Sequence, residues 1–415
     1  MMLALCLALL GAPPMPQARV LTVSPGSTLP TLGRALEAAR DGDTIRIRPG
    51  TYAEPTLTIT RRIVIIGEGW PVLDAGGDHE MLRVTADSVT IRGLVIRNVG
   101  ASGTEDRAAI RLIEVHGCLI EDNTLLDDAY GIYLQKVVGC IIRGNRVRGS
   151  GRTQSLSGNA IHSWSSSGLM VEDNTVQGHR DGIYFEFTTD SHVRGNTSTH
   201  NLRYGLHFMF SHNCEYVGNS FLDNRAGVAV MYSHDVTIRE NRFERSQGSS
   251  AYGLLLKDIS DSRVERNRFV RNSAGLYAEG TNRVEVRGNE FLRNGWGVRV
   301  MADAQDTRFL ENRFEGNSFD VSTNGASASS VFQGNSWDRY TGYDLDRDGY
   351  GDVPFAPVRL FAFVVQQNEP ALILLRSFFV SLLDAAERVA PVLTPATMLD
   401  RRPRMVWAAP ATADR

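Results

Sequence analysis

The 415-residue chain has only four cysteines. Cys6 lies in the N-terminal apolar stretch, and Cys118, Cys140 and Cys214 remain, an odd count that does not describe a disulfide scaffold. Positive charge is not in excess: 44 Lys and Arg against 47 Asp and Glu leave a formal net charge of −3. No nucleic-acid partner is expected from that balance. Hydrophobic residues make up 42% of the chain and long apolar runs are missing, which excludes a multi-span membrane protein. There is no GxSxG, Walker loop, HExxH or paired CxxC, so the common nucleophile, nucleotide and zinc signatures are absent. Glycine is plentiful, 39 residues, and asparagine is frequent, as in turn-rich β structure.

The first residues, MMLALCLALLGA (1–12), are too short to span a bilayer. They read as the apolar region of an export signal occupying residues 1–18, with cleavage between Ala12 and Ala18.

A repeat organises most of the rest. Short β-rich runs end on an Asn at positions 123, 145, 174, 196, 219, 241, 267, 289, 312 and 335, with a commonest spacing of 22 residues. An apolar residue sits three positions before each Asn, as at Ile120, Ile142 and Val171. Another sits two positions after it in most units, and this column becomes Phe221, Phe243, Phe269, Phe291, Phe314 and Trp337. A second run then starts at a Gly, as in Gly205-Leu-His-Phe and Gly227-Val-Ala-Val. Apolar alternation over four or five residues, broken by Gly, Asn or Asp, is strand grammar. A unit of about 22 residues cannot close a core alone but suits one coil of a solenoid. The expected fold is all-β: a right-handed parallel β-helix with about thirteen coils between residues 43 and 340. The Asn positions suit turns with left-handed backbone, and the Phe column should fill the interior. Leu29 to Ala39 reads as an amphipathic helix capping the open end.

Beyond the repeats the composition changes. The expected division is an export signal (1–18), a β-helix with its N-terminal cap (19–340), an Asp-rich loop (341–357) and an amphipathic helical tail (358–415). In the tail, Leu372, Leu375, Phe379, Leu382, Ala386 and Val389 follow helical spacing from about Pro370 to Val389. Such a helix folds back on the last coil or docks on a partner, with Leu375, Phe379 and Leu382 as the docking residues.

Three groups of residues carry chemistry. Met209 and His212 recur one 22-residue step later as Met231 and His234, so stacked coils bring like residues together. Thioethers with imidazoles favour a soft ion such as Cu(I); the alternative is core-filling Met and solvated His. Asp344, Asp346 and Asp348, with Gly349 and then Asp352, resemble the first half of a Ca²⁺ loop, for Ca²⁺ or Mg²⁺. The Glu expected at the twelfth position is replaced by Phe355, so the alternative is an acidic turn. Cys118 and Cys140, each five residues before a repeat Asn, should be stacked neighbours, close enough for a disulfide, with inward alternation from Ile120 and Ile142 favouring buried free thiols. Carbohydrate chemistry, as in a polysaccharide lyase or epimerase, would draw on Asp181, Glu186, Asp190, Lys257 and Asp258, which form no paired constellation.

The segments YGLHFMFSHNCEYVGNSFLDNRAGVAVMYSHDV, AYGLLLKDISDS, GYDLDRDGYGDVPFAPV and LLRSFFVSLLDAAERVAPVLTP resemble the NosD family, periplasmic maturation factors for the copper sites of nitrous oxide reductase. The resemblance runs from about residue 25 to residue 405. It implies an accessory role without catalysis, in the periplasm and held at the inner membrane through a transporter. It also implies as partners an ABC transporter's membrane subunit and ATPase, a lipoprotein copper chaperone and nitrous oxide reductase. It strengthens the copper reading of Met209, His212, Met231 and His234, and gives the tail a partner in the membrane subunit.

Overall fold

Each repeat unit supplies three short strands, and each strand pairs in parallel with its equivalent one coil away. The computed structural model describes residues 18–407 except 152, 156, 326–328, 376 and 390–397. All but the last residue of the expected export signal therefore lies outside the described residues. Three parallel sheets of 14, 13 and 12 strands result, here called sheets A, B and C. Two adjacent coils show the pattern. Glu215–Val217 pairs with Thr237–Arg239 in sheet A, Ser220–Leu222 with Arg242–Glu244 in sheet B, and Tyr204–Met209 with Ala226–Met231 in sheet C. Crossovers between parallel strands are right-handed, so the chain winds into a right-handed β-helix. At about 4.8 Å per coil the stack is roughly 60 Å long.

The solenoid has about fourteen coils rather than thirteen. Val20–Val23 forms a rung ahead of the expected start by pairing with Thr44–Ile47. The cap helix, α1 (Leu32–Ala38), is shorter than the expected Leu29–Ala39 because it starts at Thr31, whose hydroxyl accepts a hydrogen bond from the Arg34 amide. Leu32 and Ala35 close the core at this end.

The interior is built from stacked columns. Phe221, Phe243, Phe269, Phe291, Phe314 and Trp337 are buried, with ring centroids 4.2–5.5 Å apart between neighbours. The ten repeat Asn residues are buried too, and they are not the left-handed residues. That conformation falls on the residue before each of them, Asp122, Gly144 and Asp173 among them. This leaves the Asn side chain pointing inward, where its Oδ1 accepts from the neighbouring coil; Asn241 donates both its backbone N–H and its Nδ2 to Asn267, at 2.9 and 3.0 Å. A second ladder, five residues on, runs through Asn201, Asn224, Asn272, Asn294 and Asn317.

At the far end α2 (Leu360–Gln367) lays Phe361 and Val365 against Phe319 of the last sheet C strand. The single helix expected from Pro370 to Val389 is two pieces: a 3₁₀ turn, Glu369–Leu374, and α3 (Phe378–Val389). The break follows from the Ser377 N–H bonding to Leu374 three residues back, at a residue that favours helix starts over interiors. The chain then returns to the solenoid. The buried Asp400 carboxylate accepts from the Gly334 and Asn335 amides, from Asn335 Nδ2 and from Trp337 Nε1. It occupies the place that the next Asn of the ladder would take.

Candidate functional site

Alternation along the six-residue strands of sheet C decides which side chains face outward. In Tyr204–Met209, Leu206 and Phe208 are fully buried in the core, and His207 and Met209 leave from the other face. In Ala226–Met231 the inward pair is Val228 and Val230, and the outward pair is Ala229 and Met231. Met209 and Met231 are direct register partners. Both are half-buried on the outer face, so neither is core filler. The Tyr184 hydroxyl donates to Met209 Sδ at 3.7 Å.

The next residue in each coil turns a corner in left-handed backbone: Phe187 (φ 51°), Phe210 (φ 49°) and Tyr232 (φ 53°). Their rings stack with centroids 5.2 and 5.0 Å apart, 48%, 36% and 39% exposed. Ser211 and Ser233 then point inward, and His212 and His234 come out beyond the corner. The two imidazoles stack with centroids 3.9 Å apart and planes 11° off parallel. His234 Nδ1 lies 2.8 Å from Asp235. Burial, aided by the neighbouring His234, holds the His212 pKa below its ordinary value.

The sequence register is therefore met, Met on Met and His on His, but as two pairs on either side of an aromatic corner. The Nδ1 atoms of the stacked pair are already engaged, that of His212 accepting from the His234 N–H at 3.3 Å and that of His234 facing Asp235. The thioethers, on the outer face of sheet C, share that face with a group the spacing did not single out as a ligand. His207 is 4% exposed and its Nε2 is buried without a hydrogen-bond partner among the described residues. Its Nδ1 lies 3.5 Å from Asp181 Oδ2 and 3.2 Å from Arg203 Nη2. Alternation from Met209 is the signal that could have found it.

Toward the N-terminal coils, the same face opens into a cleft of about 530 Å³, lined by Arg111, Tyr133, His162, Trp164, Tyr184 and Glu186 among others. Tyr133 and His162 stack at 4.3 Å, and Arg111 lies 4.5 Å over the Tyr133 ring. Burial pushes the His162 pKa down to about 3, which keeps the ring neutral. Of the residues considered for sugar chemistry, Asp181 is held by Arg203, Asp190 accepts from Asn213, and Lys257 pairs with Glu279 at 3.1 Å.

Among the described residues the cysteines, Cys118, Cys140 and Cys214, are free and buried. The Cys118 N–H donates to Cys140 Sγ at 2.9 Å across adjacent coils. Burial pushes the Cys214 thiol up to about 12, so it offers no thiolate beside His212.

The Asp loop converges: one oxygen from each of Asp344, Asp346 and Asp348 lies within 4.8 Å of the others. These carboxylates already accept from the loop's own amides, Asp344 from Asp348 and Gly349, and Asp348 from Tyr350. Arg402 pairs with Asp348, and Asp352 accepts from the Leu345 amide. In the tail, Leu375 packs toward the Phe319 and Phe361 cluster, whereas Phe379 and Leu382 are exposed beside Phe378 (82% exposed) and Ile373 (88% exposed). Among the described residues no helix is long and apolar enough to cross a membrane.

Residues 150–344 match the family model described as "Periplasmic copper-binding protein (NosD)". A "Probable ABC transporter binding protein NosD" of Pseudomonas aeruginosa is 30% identical, with 91% of each chain covered. A protein of the same name from Stutzerimonas stutzeri is 27% identical over 87% of this chain and 86% of its own. Among solved structures, the A-module of the Azotobacter vinelandii mannuronan C-5 epimerase AlgE6 superposes with a TM-score of 0.62 at 16% identity, covering 74% of this chain and 94% of the module. The catalytic unit of a Streptomyces thermodiastaticus α-1,3-glucanase reaches 0.62 at 15% identity, covering 80% and 70%. At such identities the likeness is one of fold.

Proposed function

The chain belongs to the NosD family, and we propose from this that it is a non-catalytic periplasmic accessory protein that works with an ABC transporter to assemble the copper–sulfur site of nitrous oxide reductase. The observation that carries the reading is the in-register thioether pair, Met209 and Met231, on the outer face of sheet C. Thioethers stabilise Cu(I) and bind it more weakly than thiolates would, which suits a protein that must release its load. Of the residues the sequence pattern nominates for copper, Met209, His212, Met231 and His234, the methionine pair holds the ion on this reading, with copper received from a lipoprotein chaperone and passed toward the reductase.

The tail holds the protein at the inner membrane by docking on the transporter's membrane subunit, which its ATPase drives. Phe378, Phe379 and Leu382 are the exposed face of α3, and burying each contributes about 2 kcal/mol. Removing the tail wholesale is a poor test, because Asp400 closes the Asn ladder and its loss would damage the last coil. Phe378→Asp with Leu382→Asp leaves Asp400 in place. The expected outcome is a folded protein that no longer co-purifies with the transporter, and full retention would refute the docking.

Asp344, Asp346 and Asp348 are the proposed ligands of a hard cation, with Asp352 behind them bracing the loop where the chain leaves the solenoid. Calorimetric titration with Ca²⁺ and Mg²⁺ should show heat of binding. Its absence, with an unchanged melting temperature in chelator, leaves an acidic turn closed by Arg402.

A further inference from the structure

We infer that His207, rather than His212 or His234, is the imidazole that completes a Cu(I) site with Met209 and Met231. This rests on the copper-handling reading above and names the ligand set of that site.

Position comes first. His207 and Met209 are two residues apart on one strand, so they leave the same face roughly 6.6 Å apart along it, within reach of two long side chains. Met231 lies beside Met209 on the next strand, and beside His207 that strand carries only the small Ala229. To join the methionines, His212 or His234 would have to reach back across the left-handed corner of Phe210 and Tyr232. The two corner histidines are also directed elsewhere: their rings stack, and His234 turns to Asp235.

The second observation is the unanswered nitrogen. His207 Nε2 is buried with no partner among the described residues, which costs free energy and calls for an explanation such as a group the site takes up. The other nitrogen shows what that group would be. Nδ1 lies between two groups: Arg203 Nη2, which can only donate to it, at 3.2 Å, and the buried Asp181 Oδ2, which can only accept from it, at 3.5 Å. Protonated at Nδ1, the ring donates toward Asp181 and leaves the Nε2 lone pair free. That is the carboxylate–imidazole arrangement that stands behind metal-bound histidines. Without a metal, Arg203 donates to Nδ1, and the ring's proton then sits on Nε2, buried with no acceptor among the described residues. A metal ion selects the first tautomer.

Two thioethers and one neutral imidazole make a soft donor set for Cu(I), and hard cations gain little from it. Tyr184 covers the site from the preceding coil, its hydroxyl on Met209 Sδ and its ring edge-on to His207 at 5.0 Å. An incoming ion displaces that hydroxyl contact.

The test uses the full chain loaded anaerobically with one equivalent of Cu(I). X-ray absorption at the copper edge should show two sulfur scatterers and one imidazole; two imidazoles would overturn the inference. In competition titrations, His207→Gln should weaken Cu(I) binding by at least about tenfold. His212→Ala with His234→Ala should change it by less than about twofold. The reverse pattern overturns the assignment to His207 and leaves the copper-handling role standing. A wild-type chain that takes up no Cu(I) removes both. Should His207→Gln misfold, the spectrum of the wild-type protein still decides.

Discussion

Single buried side chains in this protein are set by burial, and two histidines show the consequence most plainly. His162 is pushed down to about 3 by burial and by Arg180, and His179 to about 4 by burial. Above the ordinary histidine value near 6.5, folded and unfolded chains both hold these rings neutral. Below it the unfolded chain takes up protons that the native state refuses, so their contribution to stability is lost as pH falls. Asp320, raised to about 6 by burial, and Asp128, raised well above the usual range, act with the opposite sign. A difference experiment separates the two groups. Between pH 6.5 and 4.5, His162→Gln should lose about 2.3 kcal/mol less stability than wild type in urea unfolding. Equal losses would mean that His162 is not held neutral. At this scale the sequence was informative about register and silent about direction. A 22-residue step brought Met209 to Met231 and His212 to His234 correctly, because strand pairing in a solenoid keeps like positions aligned. It could not show that a left-handed Phe210 would divide the two pairs, since only Gly, Asn or Asp announces that conformation in a sequence. Nor could it show that His207 would be left with an unanswered nitrogen, which depends on what every neighbouring coil places there.

Among the elements, the ladders hold the coils together. Asn267 accepts two hydrogen bonds from Asn241 and donates from Nδ2 to the Ile238 carbonyl and to Asn289. Asn267→Ala would leave the buried Asn241 N–H unsatisfied, at about 1–3 kcal/mol, while Asn241 Nδ2 keeps the Tyr216 and Arg239 carbonyls. Phe269→Ala would open a cavity between Phe243 and Phe291 at about 3–5 kcal/mol. Equilibrium unfolding should therefore give Asn267→Ala a clear cost, smaller than that of Phe269→Ala, although it removes no apolar surface. A loss below about 1 kcal/mol for Asn267→Ala would show that water satisfies the ladder. The repeat column made both ladders' existence accessible from sequence, while the role of each was legible for Phe and misread for Asn. An Asn in a turn-rich repeat suggests the turn itself, whereas the preceding residue makes the turn and the amide is a core group. The end of the solenoid was not legible at all. Asp400 reaches Asn335 from 65 residues away, and no local pattern marks such a contact.

On the scale of the whole molecule, a stack of about fourteen coils presents one long outer face, with the thioether pair on sheet C and an apolar helix at the far end. The solenoid fixes the methionines relative to one another, and the tail leaves Phe378, Phe379 and Leu382 exposed. The same fold serves polysaccharide enzymes, so the fold by itself does not choose a function. The measurement that tests the account most directly is an anaerobic Cu(I) titration of the full chain against a chromophoric competitor. Wild type should retain one Cu(I) per chain. Met209→Ala with Met231→Ala, whose side chains lie outside the core, should lose it with an unchanged melting temperature. Undiminished Cu(I) retention by that folded double variant, or no retention by wild type, would contradict the account.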